Sequence, residues 1–165
     1  MRSKCENMTE LEIQSRLCER YPLEHFHIVL KCWDLIDPIG FYYNHCGEHT
    51  KIVQACIDSP RFPSLMKECR AQADSLWASG ENMIRVMCIC ERGWHTSVAV
   101  ACILKAFYSE KGYTSLGPCH LSRIAWYKNL CNVCVDCQHN DTREKMFRTL
   151  ACPSGDLEDR CHKTS

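Results

Sequence analysis

The chain has 165 residues, 45% of them apolar and 24% charged, which fits one globular domain with room for a real core. Its 20 basic residues balance its 20 acidic ones, so no general attraction to nucleic acid or to an anionic membrane is built in. No apolar run reaches membrane-spanning length, and residues 1–20 lack the apolar core of a signal peptide, which makes the cytoplasm the expected compartment, with the nucleus as the alternative.

In chain order, residues 8–20 carry a weak helical pattern. Residues 25–32, with Phe26, Ile28, Val29 and Leu30, read as a strand. Asp37, Pro38 and Gly40 then supply turn chemistry. A helix is expected over 48–58, with Ile52, Val53, Cys56 and Ile57 on one face. Pro63 suits the first turn of a second helix, in which Phe62, Leu65, Met66, Cys69, Ala73, Leu76 and Trp77 recur at helical spacing. Ser79 and Gly80 end it. Residues 83–90 are apolar at nearly every position, as in a parallel strand covered on both faces. Residues 96–108 are apolar almost all round, as in a buried helix, and Gly112 is its stop. Residues 113–120 read as a third strand, weakened by Gly117 and Pro118. A charged helix is expected over 141–150.

Strand, helices, strand, helix, strand implies an open, mostly parallel α/β sheet of three to four strands flanked by helices. Ligands of such sheets bind beyond the C-terminal strand ends, here Cys32, Cys90 and His120. The expected division is an α/β domain over 1–123, with its core in 25–123, and a cysteine-rich extension over 124–165.

Fifteen cysteines is the abnormal number. An odd count without an export signal argues against a disulfide framework. Cys56, Cys69, Cys88 and Cys102 sit inside apolar patterns and read as small buried hydrophobes.

The segment that carries chemistry runs from Cys90 through Glu91, Arg92, Gly93, Trp94 and His95 to Thr96 and Ser97. A strand-to-helix loop of this kind points backbone N–H groups and the positive end of a helix dipole at one spot, which suits a phosphate or carboxylate. It also favours a thiolate. Cysteine-dependent phosphatases need Cys, five residues, then Arg, because the Arg clamps the equatorial oxygens of the phosphoryl group. Thr96 stands at the Arg position and cannot form a bidentate clamp. The pattern therefore points to anion binding more than to catalysis by Cys90, and a plain connection is the bland alternative. His95 could donate to an anion or act as acid or base, or it could cap the helix and pack beside Trp94.

The unit with Cys90, Gly93, His95, Ser97 and Val98 resembles the C-terminal domain of the RapZ family, whose pattern is roughly Cys-x-x-Gly-x-His-Arg-Ser-Val after a strand. Cys32, Leu35, Asp37 and Pro38 resemble the family's first loop, and His120 its third. The resemblance covers about residues 25–123. It implies an α/β domain that binds an amino-sugar phosphate at Cys90, Glu91, Arg92, Gly93, His95, Thr96, Ser97, Asp37 and His120. It also implies an adaptor role toward RNA or protein, since the bacterial family members present a small RNA to ribonuclease E. The family's separate nucleotide-binding domain is not implied, because Gly-x-x-x-x-Gly-Lys-Ser/Thr does not occur. The departures from the pattern remove positive charge: Trp33, Thr96 and Leu121 each stand where the family has Arg, and Asp37 replaces Asn. Each nearby charge pair is worth a few kcal/mol at most, so their loss weakens the hold on a dianion or leaves the pocket vestigial.

In the extension, Cys131, Cys134, Cys137 and His139 have metal-ligand spacing. Zinc takes four N or S ligands in a tetrahedron, and thiolates separated by two residues reach one ion readily. Cys119, Cys152 or Cys161 are alternative fourth ligands. An iron–sulfur cluster fits less well, because the spacing to a fourth Cys fails at Asp141. A structural zinc would stabilise a segment poor in apolar residues and would suit an interaction module whose loop is inert.

Overall fold

A computed structural model of the chain describes residues 26–38, 45–91, 93, 95–118 and 134–135. Among them the element order is β1 (Ile28–Lys31), α1 (Thr50–Ile57), α2 (Phe62–Ala78), β2 (Val86–Ile89) and α3 (Thr96–Glu110). The helices expected over 8–20 and 141–150 lie outside the described residues.

β1 and β2 pair in parallel, with Ile28 opposite Val86 and Lys31 opposite Ile89. Parallel neighbours cannot be joined by a tight turn, and the crossover here contains α1 and α2. The architecture is α/β, with a two-stranded sheet among the described residues where three to four strands were expected. Residues 113–118 are not strand. The Tyr113 N–H donates to the Tyr108 carbonyl, and the Tyr113 ring stacks on Trp77 with centroids 4.4 Å apart, so this stretch is tied to the end of α3. Gly117, at φ 86°, then breaks any extended run.

The two strands are shorter than their apolar runs suggest. In β1 burial alternates, with Ile28 and Leu30 inward. In β2 only Met87 is fully buried, whereas a strand covered on both faces was expected. Among the described residues β2 has a single strand neighbour, β1, which leaves Val86, Cys88 and Ile89 half-buried.

The helices obey their sequence signals closely. α1 is capped by His49, whose Nδ1 accepts from the Lys51 N–H at 3.1 Å. α2 carries Pro63 in its first turn, where a missing N–H costs nothing. At its end the Gly80 N–H bonds to the Trp77 carbonyl and the Glu81 N–H to the Leu76 carbonyl, which satisfies carbonyls that the helix leaves over. α3 ends the same way through Gly112 and Tyr113.

The core forms where α1, α2 and α3 meet the sheet. Ile52 and Val53 of α1, Leu65 of α2 and Ile103 of α3 are buried around Ile28 and Leu30. Each such side chain contributes about 1.5–3 kcal/mol when fully buried. Cys56 and Cys69 are fully buried among them, and Cys88 and Cys102 are half-buried. Burial pushes the Cys56 thiol from 9.0 up to about 12 and the Cys69 thiol up to about 11. A hydrogen bond with Cys88, together with burial, raises the Cys32 thiol as well. These thiols stay protonated and act as small apolar groups. Among the described residues no helix is long and apolar enough to cross a membrane.

Candidate functional site

The two strands end level with each other. The Cys32 N–H donates to the Ile89 carbonyl at 2.7 Å, which sets Cys32 beside the start of the 90–97 loop. The Thr96 hydroxyl donates to the Cys32 carbonyl at 2.9 Å and ties the first turn of α3 to the end of β1. Thr96 is thus turned into the protein, where it is buried, and its hydroxyl is committed to backbone.

Within the loop, Gly93 takes φ 74°, a left-handed conformation that favours glycine. This turn lets the Gly93 N–H donate to Cys90 Sγ at 3.2 Å. Ser97 Oγ lies 3.0 Å from the same sulfur. Cys90 is half-buried, so a backbone amide and a hydroxyl converge on one partly accessible sulfur at the N-terminus of α3. A backbone amide beside a helix N-terminus is the kind of donor set that bound anions use.

His95 occupies the N-cap position of α3, yet its side chain makes no cap hydrogen bond. The ring is fully buried and its Nδ1 donates to the Asp37 carboxylate, at 2.9 Å from Oδ1 and 3.0 Å from Oδ2. The reading of His95 as a helix cap is therefore not what the geometry adopts. His95 thus gives α3 no side-chain cap, and the first turn holds no acidic residue. The leading N–H groups of a helix need partners, and an anion is one they accept well.

Of the residues singled out in the sequence, Asp37, Cys90, Gly93, His95, Thr96 and Ser97 are joined by these contacts. Glu91 is exposed beside them. Arg92 and His120 lie outside the described residues.

Sequence reasoning gave His45, Gly47 and His49 no part in a site, and the structure gives this segment two roles. Gly47 sits directly on the start of α3. A Cβ at Gly47 would collide with the His95 carbonyl, would lie 2.6 Å from the Ala99 nitrogen and would lie 2.8 Å from Val98 Cβ. No other residue fits this approach. On either side of Gly47, His45 and His49 are buried with their rings edge to face, centroids 4.6 Å apart. The visible signal was two histidines four residues apart at a helix start.

Cys134 completes this second cluster. The ligand atoms of His45, His49 and Cys134 all lie within 4.8 Å of one another, and the group could hold a metal ion. Cys134 also packs against the small buried cluster of Cys46 and Val98, as does Cys102. Of the four ligands expected from spacing, only Cys134 is described; Cys131, Cys137 and His139 lie outside the described residues. The two imidazoles beside Cys134 come from a segment more than eighty residues earlier, so spacing within the extension could not reveal them.

Comparison with protein-family models, with curated proteins and with solved structures returns no match to this chain.

Proposed function

We propose that this protein is an α/β binding domain that takes a small anion, of the phosphorylated-metabolite class, at the loop of residues 90–97. The observation that carries this reading is the start of α3. Its N-cap residue, His95, makes no cap hydrogen bond and its first turn holds no acidic residue, and it stands beside a loop whose Gly93 amide and Ser97 hydroxyl converge on a sulfur. An amino-sugar phosphate is the ligand suggested by the RapZ-like pattern, and an adaptor role toward RNA or protein rests on that resemblance alone. Binding is favoured over phosphatase chemistry with Cys90 as nucleophile. The phosphatase clamp position holds Thr96, whose hydroxyl is given to the Cys32 carbonyl.

Thermal unfolding tests the reading. Inorganic phosphate, sulfate and glucosamine 6-phosphate are each added at millimolar concentration to the full chain and to Ser97→Ala. Ligand at a hundredfold its Kd adds about 2.7 kcal/mol of stability, which raises the melting temperature by several degrees. A rise with at least one anion, reduced in Ser97→Ala, is expected. Melting temperatures unchanged by all three would mean that the pocket is vestigial.

A second reading concerns the other cluster. We infer that the ion suited to His45, His49 and Cys134 is zinc, because two imidazoles and a thiolate form a donor set that zinc favours over magnesium or calcium. Metal analysis of the purified full chain checks this. Stoichiometric zinc is expected, and its absence, with no effect of chelator on stability, removes the reading.

A further inference from the structure

We propose that His45, His49 and Cys134 form a zinc site in which His49 is shared between two competing tasks, so that loading the metal releases the N-cap of α1. The inference rests on the zinc reading above and goes beyond it by naming what the metal displaces.

The argument starts from one ring. His49 Nδ1 accepts the Lys51 N–H at 3.1 Å, and this bond satisfies one of the leading amides of α1. A neutral imidazole has a single nitrogen lone pair, because its other nitrogen carries the proton. While Nδ1 accepts from Lys51, that lone pair is spent. If zinc takes Nδ1, the Lys51 N–H loses its acceptor directly. If zinc takes Nε2, the proton moves to Nδ1, which then meets the Lys51 N–H as a donor. Whichever nitrogen binds, the cap and the metal exclude each other.

The geometry favours the exchange. Both histidines are buried, at 9% and 4% exposure, so the donors are held in place before the ion arrives. Their ligand atoms and Cys134 Sγ lie within 4.8 Å of one another, whereas tetrahedral zinc holds its ligand atoms about 3.5 Å apart. The side chains must draw inward, and release of the Lys51 contact frees the His49 ring to do so. Three protein ligands leave a fourth position for water or another thiol. The metal would then fasten the segment around Cys134 to the start of α1.

The test uses the full chain, with cobalt(II) as a spectroscopic probe and zinc(II) as competitor. The amide signals of residues 49–53 are followed by NMR during loading. His49→Asn is the informative variant, because Asn is among the best N-cap residues and keeps the helix start while removing the ligand. Cys134→Ser removes the thiolate. The expected results are a tetrahedral cobalt spectrum with a thiolate charge-transfer band, displacement by zinc, and a Lys51 amide signal that moves on loading. His49→Asn should melt like the metal-free parent and lose stoichiometric binding, as should Cys134→Ser. Binding retained in His49→Asn, or a Lys51 signal that stays in place, overturns the shared-residue proposal while leaving a zinc protein. A parent chain that binds neither metal overturns both.

Discussion

His95 Nδ1 lies 2.9 Å and 3.0 Å from the two carboxylate oxygens of Asp37, and this pair joins the loops that follow β1 and β2 across 58 residues of sequence. The histidine is fully buried while the Asp37 side chain keeps 25% exposure, so the carboxylate is the group that meets solvent. The pair ties the residue that precedes α3 to the loop after β1. A buried ring that loses its partner is costly, because its N–H is left without an acceptor.

Asp37→Ala is therefore expected to destabilise the protein by on the order of 1–3 kcal/mol, and Asp37→Asn by less, since the amide oxygen still accepts. Denaturant unfolding curves give both values. Equal losses in the two variants would show that the hydrogen bond to His95 contributes nothing.

Gly47→Ala places a methyl group against the His95 carbonyl and the backbone of α3. Overpacking against backbone has no side-chain escape, and roughly 1–3 kcal/mol of destabilisation is expected. Gly80→Ala, whose added methyl meets nothing within 4 Å but whose φ of 93° strains an alanine, measures instead the backbone cost of losing a glycine. If Gly47→Ala melts like the parent chain, the close approach is not a constraint.

Thr96→Val keeps the shape of the side chain and removes the hydroxyl that holds the Cys32 carbonyl. The cost should be about 1 kcal/mol, with the response to anions preserved. Ser97→Ala should do the opposite, with little change in stability and a weaker anion response. An anion response abolished by Thr96→Val would place position 96 in the binding site rather than in the scaffold.

The buried thiols make stability fall at alkaline pH. In the unfolded chain a thiol ionises near its ordinary value of 9.0, while burial holds Cys56 protonated up to about 12 and Cys69 up to about 11. Between these values the unfolded state has released protons that the folded state retains, so the stabilisation present below pH 9 is lost progressively as pH rises. The contribution of Cys56 alone is on the order of 4 kcal/mol. Cys56→Ala should flatten this alkaline decline while lowering stability at neutral pH by leaving a cavity. An unfolding free energy that stays constant up to pH 11 would contradict the assignment.

What the sequence determined by itself is local. Apolar spacing located β1, α1, α2, β2 and α3, and Pro63, Gly80 and Gly112 marked their limits, because helix periodicity, proline φ and glycine at a helix end act within a few residues. The loop from Cys90 to Ser97 was legible for the same reason: a strand, one glycine and a helix start follow each other directly. Tertiary structure alone decided which groups meet across the chain. It turned Thr96 toward Cys32, gave His95 to Asp37, pressed Gly47 onto α3, and set Cys134 beside His45 and His49. Those pairings span tens of residues, over which no periodicity carries a signal. Their partners are set by the path of the crossover and the packing of α1 against α3, which exist only once the core has formed.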